Sequence, residues 1–83
     1  MYPRIEEVEP LDNYKLLLTF TNGEKGIFDV TKYLQDKFWA KLKDKELFKK
    51  VKVSGGSVEW ETGEDFCPDE VYENSEKIEK GEQ

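Results

Sequence analysis

The stretch Tyr14-Lys15-Leu16-Leu17-Leu18-Thr19-Phe20-Thr21-Asn22-Gly23-Glu24-Lys25-Gly26-Ile27-Phe28-Asp29-Val30 decides the fold. Two apolar segments, Leu16–Phe20 and Ile27–Val30, face each other across Asn22-Gly23. Both of those residues tolerate positive φ, so the pair predicts a hairpin closed by a two-residue primed turn. On the first arm Leu16, Leu18 and Phe20 alternate onto one face, with Lys15, Leu17, Thr19 and Thr21 on the other. Leu17 interrupts the polar face, which predicts a central strand touched from both sides. Gly26 permits a bulge or a close approach of other backbone.

Upstream, Ile5-Glu6-Glu7-Val8-Glu9 predicts an edge strand with a bulge, ended by Pro10 because proline cannot donate to a ladder. Asp12-Asn13 is turn chemistry. Downstream, Asp29 or Thr31 caps a short helical turn through Leu34. Phe38, Trp39, Leu42, Leu47, Phe48 and Val51 then keep helix-like apolar spacing, broken at Lys43-Asp44-Lys45, with Asp44 as a second cap. Two short helices are expected, their aromatics turned into a core. Val51–Val53 and Val58–Glu61 form a second hairpin around Ser54-Gly55-Gly56-Ser57, and Thr62-Gly63 turns again. Trp60, beside Val58 and Val53, is expected deep in the core. Pro68 suits the first position of a terminal helical turn, with Asp69 and Glu70 where the helix dipole favours acids. No internal repeat stands out.

This is an α+β pattern: an antiparallel sheet of about five strands, built from a three-strand meander, short helices, a second hairpin and a terminal helical turn. Residues 1–74 make one domain, and 75–83 a charged tail expected to be disordered, since Ile78 stands alone there among polar groups. At 83 residues the chain buries roughly 60–65% of its unfolded surface. Aromatics from Tyr14 to Tyr72 must therefore supply much of the core. With one cysteine, Cys67, and no histidine, neither an internal disulfide nor a structural zinc site can be built. No signal peptide or membrane span is visible, which predicts a cytoplasmic protein.

Several pieces occur in a recognisable order: Phe20-x-Asn22-Gly23-x-x-Gly26-x-x-Asp29-Val30; Leu47-Phe48-x-x-Val51-x-Val53; and Val58-x-Trp60-x-x-Gly63-x-Asp65-Phe66-Cys67-Pro68-Asp69. Over about residues 3–74 the chain resembles the small bacterial family catalogued as domain of unknown function 2442. The resemblance implies an antiparallel sheet with short helices and brings no established catalytic residues. Family members stand alone or carry a helix-turn-helix domain. Stand-alone members resemble one half of a two-gene pair, which implies a regulatory or toxin–antitoxin-like partner. The present sequence leaves no room for a following helix-turn-helix, so DNA reading by that route is not expected.

Charge sets the functional candidates. The net charge is −6, divided as −3 over residues 1–31, +5 over 32–58 and −8 over 59–83. An acidic total opposes non-specific nucleic-acid binding. The acids Glu59, Glu61, Glu64 and Asp69 are expected on one flank, steering a basic protein partner. Lys41, Lys45 and Lys49 are expected on another, where nucleic acid would dock instead. Cys67 lacks a base and has acids around it, so a buried structural thiol is the plainer reading. The acids from Glu59 to Glu70 match no calcium-loop spacing. Asp65, after the Gly63 turn, is expected to accept backbone N–H bonds from the residues that follow and to hold Pro68 in place. Asn22, Gly23, Trp60, Gly63, Asp65 and Pro68 are thus structural. The expected function is a non-enzymatic protein-interaction or regulatory domain, without cofactor, catalytic residue or metal, and either monomeric or weakly dimeric. The second reading is a nucleic-acid-associated regulator using the lysine-rich helical face.

Overall fold

The computed structural model describes residues 2–78. Strands β1 (Ile5–Leu11), β2 (Lys15–Phe20), β3 (Lys25–Asp29) and β6 (Glu76–Ile78) form an antiparallel sheet in the order β1-β2-β3-β6. β4 (Lys52–Ser54) and β5 (Ser57–Glu59) form a separate two-stranded sheet, so the expected five strands are divided between two sheets. α1 (Lys45–Phe48) and α2 (Pro68–Asn74) are the α-helices, the latter opened by Pro68.

β1 has the expected bulge, between Ile5 and Glu7. It does not end at Pro10 but runs through it to Leu11. β1 is the outer strand of its sheet, with a single ladder to satisfy, and an edge tolerates a missing donor.

The primed turn is not where Asn22-Gly23 predicts it. Gly23 alone of that pair is left-handed, at φ 91°. The Phe20 N–H donates to the Glu24 carbonyl at 2.8 Å, and the Gly23 N–H donates to the Phe20 carbonyl at 2.9 Å. This is a three-residue loop, Thr21–Gly23, with a glycine bulge at its end. Asn22 works through its side chain, whose Oδ1 accepts the Glu24 N–H at 3.0 Å. The two-residue turn lies at Gly55-Gly56, where φ is 59° and 82°.

A second copy of the bulged loop follows. The Trp60 N–H donates to the Glu64 carbonyl and the Gly63 N–H to the Trp60 carbonyl, both at 2.9 Å, with Gly63 at φ 102°. Phe20-x-Asn22-Gly23-Glu24 and Trp60-x-Thr62-Gly63-Glu64 are thus one device used twice. The sequence reading found no repeat because only the glycine and glutamate are identical.

Between β3 and β4 lie the expected helical turn and the two expected short helices, each a single turn. Val30–Tyr33 and Ala40–Lys43 are 3-10 turns, and α1 is one α-turn. Asp29 accepts the Thr31 N–H at 2.9 Å and Asp44 the Glu46 N–H at 3.0 Å, the caps expected. Asp36 turns the chain again by accepting the Phe38 N–H at 2.8 Å, which stops a longer helix.

One face of the larger sheet carries Leu16, Leu18, Phe20 and Phe28, all buried against Val30, Leu42, Val58, Trp60 and Val71. Trp60 is fully buried and donates its indole N–H to the Phe48 carbonyl at 2.9 Å. Phe66 lies at the junction, stacked on Trp39 at 5.0 Å and 4° and edge-on to Phe28 at 5.0 Å. Phe38 departs from the expected core: it is 52% exposed and packs its ring edge-on over Trp39.

The tail expectation is corrected at residues 75–78. Ser75 is buried, and β6 pairs with β3 through Gly26↔Lys77 and Ile27↔Glu76. Gly26 makes this possible, since a Cβ there would meet Ser75 Oγ at 3.1 Å and the Glu76 carbonyl at 3.3 Å. Residues 79–83 of the expected tail lie outside the described residues.

Candidate functional site

The acidic flank expected from sequence is not one surface. Glu59 is half-buried, Glu61 and Asp69 are exposed, and Glu64 is only 4% exposed. The bulged loop turns Glu64 inward, where Thr62 Oγ1 donates to its carboxylate. Glu64 therefore leaves the list of surface contacts. Glu59 stands opposite Lys52 in the β4–β5 register, and Glu61 pairs with Lys50 at 3.8 Å. Lys50 and Lys52 are thus interleaved with these acids, and neither is one of the three lysines expected on the other flank.

Lys41, Lys45 and Lys49 are all exposed. Lys45 and Lys49 line a cleft of about 290 Å³ together with Phe48, Leu11 and the Asp12-Asn13-Tyr14 turn. Lys41 lies on the preceding 3-10 turn, outside that lining. Asn13 and Tyr14 are both left-handed, with φ 64° and 60°. Tyr14 is held so by donating its hydroxyl to the Lys43 carbonyl at 2.5 Å and by accepting the Val30 N–H at 2.9 Å. Asp12 puts a carboxylate in the same cleft, which weakens it as an anion site.

Cys67 is exposed, contrary to the buried thiol expected. It precedes Pro68 at the start of α2 and borders a shallow groove of about 510 Å³ with Glu59, Asp65 and Phe66. Nothing basic lines that groove to form a thiolate. The Asp65 carboxylate makes no hydrogen bond among the described residues, so its expected role is also corrected. It is the Asp65 carbonyl that acts, accepting the Trp39 indole N–H at 3.3 Å. Among the described residues no group of three or more Cys, Asp and Glu side chains is placed to hold a metal ion.

The surface that sequence reasoning missed is the other face of the larger sheet. The register puts Glu9, Leu17, Ile27 and Glu76 in one row across four strands. The next row is Glu7, Thr19, Lys25 and Ile78, and on the other side lie Leu11, Lys15 and Asp29. Leu11, Leu17 and Ile27 keep partial exposure, and Ile78 is 40% exposed. Val51–Val53 walls the β1 side, making an open trough of about 540 Å³ over Leu17, Glu7 and Glu9. Lys25 Nζ is tied to Thr19 Oγ1 at 3.2 Å. Glu7 and Glu9 are exposed and form no ion pair or hydrogen bond among the described residues. The period-two spacing of Glu7 and Glu9, read with Leu17 on the polar face of β2, is the signal that marks this face.

Among the described residues no helix is long and apolar enough to cross a membrane. No curated protein matches the chain. Its structure is similar to the crystal structure of a protein from Nitrosomonas europaea named as a "putative DNA binding protein", with a TM-score of 0.80 and 35% identity. That similarity covers 90% of the present chain and 50% of the other, so the chain spans about half the length of that relative. Residues 5–77 match the family described as protein of unknown function DUF2442, and the chain belongs to that family.

Proposed function

We propose that this domain is a non-enzymatic interaction module that docks a protein partner on the open face of its four-stranded sheet. One observation carries the reading: Leu17 and Ile27 lie side by side at the centre of that face, bracketed in register by Glu9 and Glu76. A half-exposed apolar pair with a polar rim is how a docking surface is built. The regulatory, toxin–antitoxin-like pairing implied by the family resemblance fits a module of this kind.

The test is affinity purification from the native host with the wild type and with Leu17→Lys/Ile27→Lys, both checked for an unchanged fold by circular dichroism. A protein retained by the wild type and lost from the double variant is the expected result. Retention by both, or by neither, removes the reading.

The second reading, a nucleic-acid-associated regulator, is favoured by the name given to the Nitrosomonas protein and by Lys45 and Lys49 at one cleft. That name belongs to a longer chain, of which the match covers 50%, and Asp12 shares the cleft.

A further inference from the structure

We infer that the open sheet face takes an amphipathic helix whose apolar stripe is flanked by basic side chains. This inference rests on the docking reading above and adds the chemistry of the occupant. Leu11, Leu17, Ile27 and Ile78 fall on a diagonal, one residue from each strand of the β1-β2-β3-β6 sheet. Three strand spacings across and two side-chain rows along make that diagonal about 20 Å long. A helix rising 1.5 Å per residue covers it in about 13 residues, with apolar groups at i, i+3 or i+4, and onward. An extended segment laid along the diagonal would leave its own backbone donors and acceptors unpaired over a side-chain surface, whereas a helix satisfies them internally.

The charge of the occupant follows from what this face leaves uncompensated. The rows of this face carry four carboxylates, Glu7, Glu9, Asp29 and Glu76, against two lysines, Lys25 and Lys15, the latter across from Asp29, with Lys52 a third at the rim of the trough. Among the described residues Glu7 and Glu9 on β1 form no ion pair or hydrogen bond, and Glu76 closes the far end of the central row. The complement is a helix with lysine or arginine on both sides of its apolar stripe. Glu9 and Glu76 are three strand spacings apart, about 14 Å, and lie on opposite sides of the diagonal; about 10 Å of that runs along the helix axis, so basic groups about seven residues apart reach both.

The experiment uses two designed 15-residue helical peptides with the same apolar stripe. One has lysines and the other glutamates flanking it. Each is titrated into the isotope-labelled 83-residue chain. The basic peptide is expected to shift the amide signals of Leu17, Ile27 and Glu9, and to weaken at least tenfold in the folded Glu7→Lys/Glu9→Lys variant. The acidic peptide is expected to bind at least tenfold more weakly than the basic one. Equal binding of both peptides, shifts confined to other surfaces, or no binding would overturn the helix inference. So would Leu17-dependent self-association seen by sedimentation, which would make a second copy the occupant. A native partner captured through Leu17 and Ile27 would still support docking in any of those cases, so the two readings fail separately.

Discussion

Tyr72 donates its hydroxyl proton to the Glu24 carboxylate at 2.6 Å, joining residues 48 positions apart. The same chemistry recurs around α2. Tyr2 donates to Glu73 at 2.7 Å and Tyr33 to Glu70 at 3.0 Å. A seven-residue helix is too short to persist alone. Here it is docked through Val71 and tied on several sides by phenol–carboxylate bonds to the N-terminus, the β2–β3 loop and the first 3-10 turn.

Burial, with the Glu70 carboxylate beside it, pushes the Tyr33 phenol up to about 12. A phenol that holds its proton more tightly folded than unfolded adds stability that is complete below its ordinary value of 10.0. That contribution is lost as pH rises through about 12. Thermal melts across this window should fall faster for the wild type than for Tyr33→Phe, which has no phenolic proton to lose. Parallel curves for the two proteins would show that the buried place of Tyr33 beside Glu70 does not hold its proton in solution.

Trp60 fills the centre of the core and uses its indole N–H on the Phe48 carbonyl. Trp60→Ala should cost about 3–5 kcal/mol, as large aromatic truncations in cores do. Trp60→Phe keeps most of the volume and removes that bond, while the carbonyl still accepts the Val51 N–H at 3.3 Å, so the cost should be only about 0.5–1.5 kcal/mol. Urea denaturation measures both. In a Trp39→Phe background the remaining indole should emit in the blue and resist iodide; free quenching would contradict its burial.

The repeated loop predicts paired behaviour. Gly23 and Gly63 occupy the same left-handed position, so Gly23→Ala and Gly63→Ala should each cost about 1–2 kcal/mol. Gly56→Ala carries a similar backbone cost, and its Cβ would also come within 2.8 Å of Arg4 Cδ. It should therefore loosen the contact by which the Ile5 N–H donates to the Gly56 carbonyl at 2.9 Å. Urea midpoints decide, and an unchanged midpoint for Gly63→Ala would mean the second loop differs from the first.

These residues also show how far the sequence could be read. The alternation of Leu16, Leu18 and Phe20 is a direct signature of a one-sided core, and the strand and its buried face follow from it. Asn-Gly, by contrast, suits both a two-residue primed turn and a bulged three-residue loop. The choice is made by the Phe20–Glu24 pairing, which a dipeptide does not encode. β6 was hidden because Glu76-Lys77-Ile78 has the composition of a solvated tail. It forms because Gly26, distant in sequence, lets Ser75 approach β3. Glu64 looked like one more surface acid in an acidic run, and only the loop geometry turns it inward. The open sheet face was missed because Glu7, Glu9, Leu17 and Ile27 meet through strand pairing, while charge was counted along the chain.

The nucleic-acid reading makes a sharp prediction of its own. Phosphate binding scales with the number of charges neutralised and falls steeply with salt. The face in question offers Lys45 and Lys49 at one cleft with Asp12 beside them, and Lys41 outside it. The chain as a whole carries −6. Gel shifts of the wild type on duplex and single-stranded DNA should therefore show weak retention at low salt and none at about 150 mM, where exposed charges are screened within about 8 Å. Lys41→Glu/Lys45→Glu/Lys49→Glu should remove the low-salt retention and leave the docking of a basic partner on the sheet face unchanged. Glu7→Lys/Glu9→Lys should do the converse, weakening that partner and slightly raising low-salt DNA retention. Firm DNA binding by the wild type at about 150 mM salt, abolished by the lysine reversals, would move the functional centre from the open sheet face to the α1 cleft.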